Sequence, residues 1–439
     1  MLIEKESKLQ SFRRITALAV ALALPMPPLP IAAAGEAPPV SLPQLLEEVR
    51  RVNPDLLAAR KRWEAAQARI PQSVGLPPPK IGVQFEDIPR GTIKLNQATI
   101  IYQLLQSLPF PGKLSLRHQV AVKEAQESGM RFKQAELNIT SDLKQAYYDL
   151  FLLDRELEIE REQRLWTEQA VAAAQTRYAT GISSQAELLK FQGEALTASN
   201  AIEVLDQRRQ AMVAHLNHLL NRPSHHDVGR PGPIPLAWIP FTPDELLLIA
   251  LEQQPELLAF KYAAERADAS WRLAKRELLP DLETMLELRD PAMGPIGPWD
   301  LSLAIVLPFW FWTKLRYGVR VALYDKESAQ AAYAAMRNEI EKRIHEHWHE
   351  AFASYLTAKL GETGLLPLKR QAVSSAMAAY QGGRGTSLEL VEALRELAEQ
   401  KRSYNRDLVS LEQHVVMLEQ AVGISLRESN AASAAGGTS

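Results

Sequence analysis

No cysteine occurs among the 439 residues of this chain. A disulfide framework, a thiol nucleophile, a thiolate metal site and an acylated N-terminal cysteine are therefore excluded. The net charge of −2, with no polybasic block, argues against a nucleic-acid binder. Past the N-terminal region, no run of 18 apolar residues could form a spanning helix. Any attachment to a membrane must therefore come from the fold itself.

Motifs of common catalytic sites are scarce as well. The chain contains no glycine-rich phosphate loop and no GxSxG sequence. Its many glutamates do not form a catalytic pair without convergent geometry. We predict that the protein is not an enzyme and that it binds no cofactor.

The N-terminal segment has the order of a secretory signal peptide. Basic residues from Lys5 to Arg14 precede the apolar run ITALAVALAL, and prolines and small residues follow it. The prolines would break a buried core helix, which is the alternative interpretation. We predict that residues 1–34 form a signal peptide and that the protein is exported.

Two stretches of the chain share one pattern. YATGISSQAEL begins at Tyr178 and YQGGRGTSLEL begins at Tyr380, and 380 − 178 = 202. Two other pairs lie 201 residues apart: segments that begin at Asn53 and Gln254, and segments that end at Leu114 and Leu315. Landmarks in the same order at a nearly constant offset indicate duplication, and the period is too long for a solenoid.

The duplication predicts how the chain is divided. We expect a first structural repeat over 42–222 and a second over 243–423. A linker rich in proline and glycine, 223–242, joins them, since its composition prevents a regular helix. Residues 424–439 are predicted to be a disordered tail.

Each repeat begins with an amphipathic helix, about 42–72 or 243–277, and continues with two segments of period two. In KIGVQF, apolar side chains alternate with polar ones, and the same alternation recurs in 97–108, 282–288 and 299–307. Period two predicts strands with one apolar and one polar face. Turn-rich loops separate the strands of each pair, which predicts two long-looped hairpins.

The second part of each repeat is predicted to be a long helical hairpin. No proline occurs between Pro111 and Pro223, and leucines follow a coiled-coil spacing. A helix over about 114–177 would be roughly 100 Å long, and a returning helix is predicted over about 185–220. The second repeat copies this pattern from about 315, with a kink expected where Gly361, Gly364 and Pro367 cluster.

Four strands are too few to close a barrel, and the unpaired edges of an open sheet cannot lie in lipid. A homotrimer would supply 4 × 3 = 12 strands, which is enough. We therefore predict a mainly α fold with a β-barrel portion: long coiled-coil hairpins, a trimeric 12-stranded barrel and an α-helical tunnel. A soluble sandwich corner is the alternative. The residues predicted to face lipid are Ile100, Tyr102, Leu104, Trp299, Leu301, Leu303 and Ile305.

Several segments in this order resemble the outer-membrane efflux protein (TolC) family. They are QSLPFPGKL at 106–114, KQAYYDLFLL at 144–153, LNHLLNRP at 216–223 and the two tip sequences at Tyr178 and Tyr380. The resemblance covers about 42 to 423, and PFPGKL is similar to the branch that serves heavy-metal and related resistance-nodulation-division pumps.

This resemblance implies a function and partners. It implies an outer-membrane channel with a periplasmic helical tunnel, the exit duct of a tripartite efflux system. Its partners would be a periplasmic membrane-fusion adaptor protein, an inner-membrane pump and outer-membrane lipid, with no nucleic acid. The cargo would include heavy-metal cations. Two alternatives stay open: a type I protein-secretion exit channel and a soluble periplasmic coiled-coil scaffold.

The two tip sequences are predicted to reverse the helical hairpins at the periplasmic end. The glycines permit the reversal, and a hydroxyl residue followed by glutamate at the third position predicts a capping box. The resemblance adds that six such tips in a trimer dock the adaptor. The tip residues are Tyr178, Gly181, Ser184, Tyr380, Gly383 and Thr386.

Two further groups of titratable residues are candidate sites. Glu389 and Glu392 lie three residues apart on one helix face, and the resemblance implies acidic rings at the periplasmic entrance. An ordinary solvated helix start is the alternative. In HEHWHE, His345 and His349 share a face while His347 points away, and two imidazoles alone leave a metal site incomplete. They are weak metal candidates.

Overall fold

A computed structural model describes residues 40–88, 91, 95, 98–181, 184–289, 299–309, 311–382 and 384–427. The predicted signal peptide, the tip residue Gly383 and most of the predicted tail lie outside these residues. Residues 40–427 belong to one compact unit. The description below concerns that unit.

The described chain is mainly helical, as predicted. Its helices are α1 Leu42–Val52, α2 Pro54–Ser73, α3 Lys113–Ala179, α4 Gln185–Leu219, α5 Pro243–Gln253, α6 Pro255–Arg276, α7 Arg316–Leu360, α8 Leu366–Gln381 and α9 Ser387–Val422. Its strands are β1 Lys80–Glu86, β2 Thr99–Leu108, β3 Asp281–Arg289 and β4 Trp299–Val306. The same order, two short helices, two strands and a long hairpin, occurs twice.

The single helices predicted over 42–72 and 243–277 are wrong, because each segment forms two helices. Between α1 and α2, the Asn53 side chain accepts hydrogen bonds from the N–H groups of Asp55 and Leu56, at 2.9 and 3.2 Å. Gln254 caps α6 in the same way. In both places a proline follows the cap. Proline has no N–H to continue the preceding helix, but it suits the first position of a new one.

The long helices match the sequence prediction more closely. α3 contains 67 residues without a break, which is roughly 100 Å at 1.5 Å per residue. Its seam residues Leu143, Leu150 and Leu157 are all buried. In the described part of the chain, no helix is both long enough and apolar enough to cross a membrane.

The kink expected near Gly361 is a π-helical turn, Gly361–Leu365, between α7 and α8. A π turn holds one residue more than an α-helical turn. The offset between the repeats rises from 315 − 114 = 201 to 380 − 178 = 202 across this segment. The π turn therefore accounts for the extra residue and keeps both ends of the second hairpin in register with the first.

The described residues form four apolar clusters, and the two larger ones lie mainly in the first and in the second repeat. Leu143 and Ile344, which lie 201 residues apart, are fully buried in the first and second cluster. Helix α9 contributes to both clusters, through Leu408 in the first and Leu411 in the second. The two repeats are thus joined along α9.

The linker between the repeats is packed against the helices. Its Val228 and Ile239 are 2% and 1% exposed, and Trp348 of α7 donates a hydrogen bond to the carbonyl of Phe241 at 2.8 Å. The first residues of the predicted tail, 424–427, are described and pack against the helices. Leu426 is fully buried, and the Arg427 side chain is paired with Glu412.

The strands form one antiparallel sheet in the order β1-β2-β3-β4. Each predicted hairpin is present, and β2 joins β3 across the repeats, with Gln103 opposite Glu287. The four strands contain 7, 10, 9 and 8 residues. No further strand covers the outer edges of β1 and β4 in the described residues.

Candidate functional site

One face of the sheet is apolar and exposed. The strand register places the seven predicted lipid-facing residues on this same face. Leu303, Trp299 and Tyr102 are 74%, 63% and 51% exposed, and Ile100 is half-buried. The register adds Ile81, Val83, Phe85, Leu282, Leu286 and Leu288 to the face. A contiguous apolar surface of this kind marks contact with lipid or protein.

The opposite face of the sheet is largely polar. The Gln103 amide Nε2 donates to Gln84 Oε1 at 2.6 Å and to Glu287 Oε1 at 2.8 Å, which connects three strands. Arg289 Nε lies 3.3 Å from Asp300 Oδ2 and connects the fourth. The sheet is therefore amphipathic across its whole width, with water-compatible side chains on one side only.

A buried lysine connects the sheet to the helices. Lys113 begins α3, its side chain is 4% exposed, and its Nζ lies 2.7 Å from Asp281 Oδ1 at the start of β3. Nζ also donates to the Leu279 carbonyl at 2.9 Å. The contact fixes the helix of one repeat against the strand of the other. An unpaired buried ammonium would be costly, so neither partner can be removed without loss.

The first hairpin end contains the predicted left-handed glycine. Gly181 has φ +73°, and its N–H donates to the Tyr178 carbonyl at 3.0 Å. Ser184 caps α4 by accepting from the Glu187 N–H at 3.3 Å. The predicted capping box is half formed here. In the described residues, the Glu187 carboxylate accepts no hydrogen bond from the Ser184 N–H.

The second hairpin end has a complete capping box. Thr386 Oγ1 accepts from the Glu389 N–H at 3.3 Å, and Glu389 Oε2 accepts from the Thr386 N–H at 3.1 Å. The backbone at Gly385 approaches the preceding helix closely, because a Cβ there would lie 3.0 Å from the Tyr380 nitrogen. The Glu389 carboxylate is thus engaged by the backbone of its own helix.

The two hairpin ends differ in their tyrosines. Tyr178 is 46% exposed, whereas Tyr380 is 9% exposed. The Arg177 guanidinium lies 5.2 Å from the centre of the Tyr380 ring, a cation–π contact between the two hairpins. Tyr178 is therefore available to a partner, and Tyr380 joins the two ends.

Glu392 lies one turn after Glu389 and is exposed. Its charge acts on Arg395, whose side chain is paired with Glu194 of α4. The hydrogen bond to Glu194 is the main cause that raises the pKa of Arg395, and the charge of Glu392 also raises it. Lys190 occupies the position of Glu392 in the first repeat (392 − 202 = 190). The acidic pair belongs to the second repeat alone.

Helix α9 is held to the first hairpin by ion pairs. In four of them the basic side chain comes from α9 and the acidic one from α3 or α4. In a fifth the polarity is reversed, since Lys144 of α3 lies 2.6 Å from Glu419 of α9. Among the first four, Arg402 is the most buried, with its guanidinium 2.5 Å from Glu160 and 3.0 Å from Gln163 Oε1. The other pairs are Arg395–Glu194, Lys401–Glu162 and Arg406–Glu156.

The histidine-rich segment lies on α7. The rings of His345 and His349 stack with centroids 6.4 Å apart, as their spacing predicted. With Glu346 they have the HExxH spacing, in which two helical histidines bind zinc. Among the described residues, however, no group of three or more potential ligands could hold a metal ion as it stands.

His347, which was predicted to point away from the face of His345 and His349, lies on the side of α7 that packs against α9. Its ring lies 5.8 Å from that of His414 on α9. Burial is the main cause that lowers the pKa of His347, and the charge of His414 lowers it further. Burial also lowers the pKa of His414. Sequence reasoning missed His414, because nothing near it in the chain marks it.

The sequence profile of the outer membrane efflux protein family matches residues 45–222 and 246–424, most of the chain. The chain belongs to this family. The protein is accordingly an efflux channel of the outer membrane. Each of its two repeats matches the family profile once.

Individual relatives of this efflux protein are distant in sequence. It is 22% identical over 403 residues to the cobalt-zinc-cadmium resistance protein CzcC of Cupriavidus metallidurans, covering 91% of this chain and 93% of the relative. A membrane protein from Pseudomonas aeruginosa has the same fold, with a TM-score of 0.75 at 19% identity, covering 93% and 98% of the two chains. CusC, described with transmembrane channel formation, has a TM-score of 0.74 at 15% identity, covering 87% and 92%.

Sequence reasoning also missed contacts that shape the efflux protein's site. The Lys113–Asp281 pair joins residues 168 apart, and only the matching Lys314 in the second repeat marked Lys113. The ion pairs of α9 had no marker at all, since charged residues are frequent along every helix.

Proposed function

We propose that three copies of the chain associate through their sheets into a 12-stranded barrel in the outer membrane. The exposed apolar face of the sheet is the observation that carries this proposal. Its side chains would be satisfied by lipid, and the polar face would line the lumen. The edges of β1 and β4 would pair between neighbouring copies, since an open edge is not tolerated in lipid.

Helix α7 supports the same assembly. Three of its apolar side chains, Tyr317, Val321 and Tyr324, are 59%, 59% and 62% exposed. Their spacing of four and three residues places them on one face of the helix. A neighbouring copy that covers this face would complete a closed helical tunnel below the barrel.

Substitutions on the two faces of β4 test the barrel. Leu303→Arg places a charge on the apolar face, which costs roughly 2–4 kcal/mol per chain at the midplane of a barrel. Ser302→Arg is the matched control, because Ser302 is the neighbouring residue on the opposite face. We expect crosslinking of detergent-extracted protein to give a three-chain ladder for the control and little trimer for Leu303→Arg. Equal trimer yields, or a stable monomer in the unaltered protein, would refute the assembly.

The remaining parts of the proposal concern export and partners. Residues 1–34 act as the signal peptide, and residues 42–222 and 243–423 act as structural repeats. The hairpin ends dock a periplasmic adaptor, through which an inner-membrane pump delivers cargo. The duct conducts passively, without catalysis. The exposed Tyr178 is the tip residue best placed for the adaptor.

We propose divalent transition-metal cations as cargo, because a relative that covers 91% of this chain is a cobalt-zinc-cadmium resistance protein. The test uses cells that lack their own exit duct and contain the cognate pump and adaptor. Expression of the protein should lower the accumulation of zinc, cobalt and cadmium. Unchanged metal accumulation, with restored efflux of an organic dye, would assign the channel another cargo.

A further inference from the structure

Two imidazoles face each other where α7 packs against α9. The ring centroids of His347 and His414 are 5.8 Å apart, with 34° between the ring planes. Zinc binds imidazole nitrogen at about 2.0–2.1 Å, so two imidazoles on one tetrahedral ion have centroids about 5–6 Å apart. The separation of this pair therefore suits a shared ion.

One ring nitrogen of each imidazole lacks a hydrogen-bond partner. The Nδ1 atoms of both rings are buried without one among the described residues. Buried polar atoms in native proteins normally have a partner, so a bare pair calls for an explanation such as a bound ion. Burial also disfavours the charged form of both rings and lowers their pKa values. Neutral imidazole is the form that binds metals.

Carboxylates and an entry route lie beside the pair. Glu346 and Glu350 act electrostatically on both histidines and are exposed. A cleft of about 530 Å³ has His347, Glu346 and Met417 in its wall. As the side chains of the described residues stand, no third ligand converges on the pair. Rotation of an exposed glutamate, together with water, would complete four ligands.

The nearby positive charge does not oppose a cation. Arg343 is the basic residue that acts on His347. Its guanidinium is already paired with Glu339 at 3.0 Å and with Glu256 at 3.4 Å. The surroundings of the histidine pair are therefore not positive, and two free carboxylates dominate them.

The first repeat shows that the fold does not need histidines at this helix contact. His347 precedes the π turn, so its counterpart is Ala146 (347 − 201). His414 follows the turn, so its counterpart is Met212 (414 − 202). Ala146 lies in the first core cluster, and Met212 packs against it. The same crossing is apolar in one repeat and carries two imidazoles in the other.

We propose that His347 and His414 anchor a site for a zinc-type divalent cation, completed by Glu346 or Glu350 and water, which ties α7 to α9. The site is resident in the wall and does not depend on what the channel conducts. A bound ion would stabilise the second hairpin, since a ligand that binds only the folded state raises its stability.

The test measures metal binding by the full-length protein in detergent, with Zn²⁺ and Co²⁺ as probes. The variant His347→Ala with His414→Met copies the first repeat, so its packing is one that the chain already uses. The control variant, His345→Ala with His349→Ala, removes the other histidine pair of α7. We expect calorimetry to show one Zn²⁺ per chain for the unaltered protein and the control. We expect the first variant to bind at least about tenfold more weakly.

Two further readouts keep the outcome decisive. The visible spectrum of bound Co²⁺ should report nitrogen ligands that the first variant removes, and Zn²⁺ should raise the unfolding temperature of the control but not of this variant. His414→Gln, a milder change, should weaken binding in the same direction. Binding retained without His347 and His414, lost with His345 and His349, or absent from the unaltered protein would overturn the proposal.

Discussion

The two long hairpins of this chain share a set of buried positions, and they differ in their interruptions and in some polar residues. In the first, α3 runs for 67 residues without interruption. In the second, the π turn Gly361–Leu365 separates α7 from α8. Fully buried positions correspond across the repeats, as Leu216 and Leu418 do at an offset of 202. The fully buried positions thus form a common scaffold.

The second hairpin carries several features that the first lacks. It contains the π turn, the histidine pair and Glu392, where the first has a continuous helix, two apolar residues and Lys190. Glu389 is not such a difference, because the acidic Glu187 occupies its position in the first hairpin. Helix α9 is held to the first hairpin both by ion pairs and by apolar residues such as Leu408.

The largest expected effect comes from changing helix register. Deletion of Thr363, combined with Pro367→Ala, should turn the π turn into α-helix and copy α3, because one surplus residue is removed. Arg161 is the counterpart of Glu362 in α3 (362 − 201). Since α3 has no π turn and therefore no surplus residue, deletion of Arg161 shifts the register of the helix. Every residue beyond it would rotate by about 100° relative to the rest.

We expect normal outer-membrane trimer for the Thr363 deletion and none for the Arg161 deletion, measured by crosslinking and heat-modifiable gel mobility. Equal loss in both proteins would show that the π turn is a structural requirement rather than a surplus residue.

A smaller effect is expected from the charges between the hairpins. Arg402→Gln leaves Glu160 without its partner in a partly buried position. Hydrogen bonds to charged groups contribute about 1.5–3 kcal/mol, so the free energy of unfolding should fall by about that amount. Arg208→Gln is the control, because Arg208 is exposed and forms no ion pair with the described residues. A double-mutant cycle with Glu160→Gln should recover the coupling; additive losses would mean that the pair contributes nothing.

The acidic residues at the two hairpin ends can be compared by their effect at the predicted channel entrance. We predict that Glu392→Ala weakens cation selectivity and block by a trivalent cation more than Glu389→Ala, because the Glu389 carboxylate is engaged with the Thr386 N–H. Glu187→Ala in the first hairpin serves as the control. Single-channel recording in planar bilayers measures all three. Selectivity and block that stay unchanged without Glu392 would place this carboxylate away from the entrance.

The smallest expected difference is in the stability of the folded protein at acidic pH. The pKa values of His347 and His414 are lowered in the folded protein, so the unfolded chain binds more protons as the pH falls below about 6.5. Stability is therefore lost as the pH falls through this window towards the lowered pKa values. Glu346 and Glu350 oppose this trend, and Arg343 adds to it.

The variant that copies the first repeat, His347→Ala with His414→Met, should lose less stability than the unaltered protein between pH 7 and pH 5. Urea unfolding with a chelator present measures the difference. Identical pH profiles would remove the histidine pair as a source of acid sensitivity.

The elements with strong local patterns could be predicted from the sequence. The alternation around Leu303 predicted a strand and its apolar face, and the lack of proline after Pro111 predicted α3. The break at Asn53 was missed, because a helix that ends before proline and a new one that begins at it share one amphipathic pattern. The π turn was marked by the change of offset from 201 to 202, but an offset does not say where the extra residue lies.

Contacts between distant segments left almost no signal. His414 and Arg402 lie in ordinary polar positions of α9, and their partners are in other helices. Tyr178 and Tyr380 looked equivalent in sequence, yet only Tyr380 lies beneath Arg177. Burial of one and exposure of the other depend on how the hairpins pack, which neither local sequence contains.

The pairing of β2 with β3 sets the order in which the chain can fold. Gln103 and Glu287 lie 184 residues apart, so the sheet gains its central contact only when the second repeat has arrived. Closing so long a loop is slow, whereas the helical hairpins form from near neighbours in the chain. The first hairpin can therefore form before the sheet is complete, while the apolar face of β1 and β2 is uncovered. During that interval the chain depends on whatever protects exposed strands from aggregation.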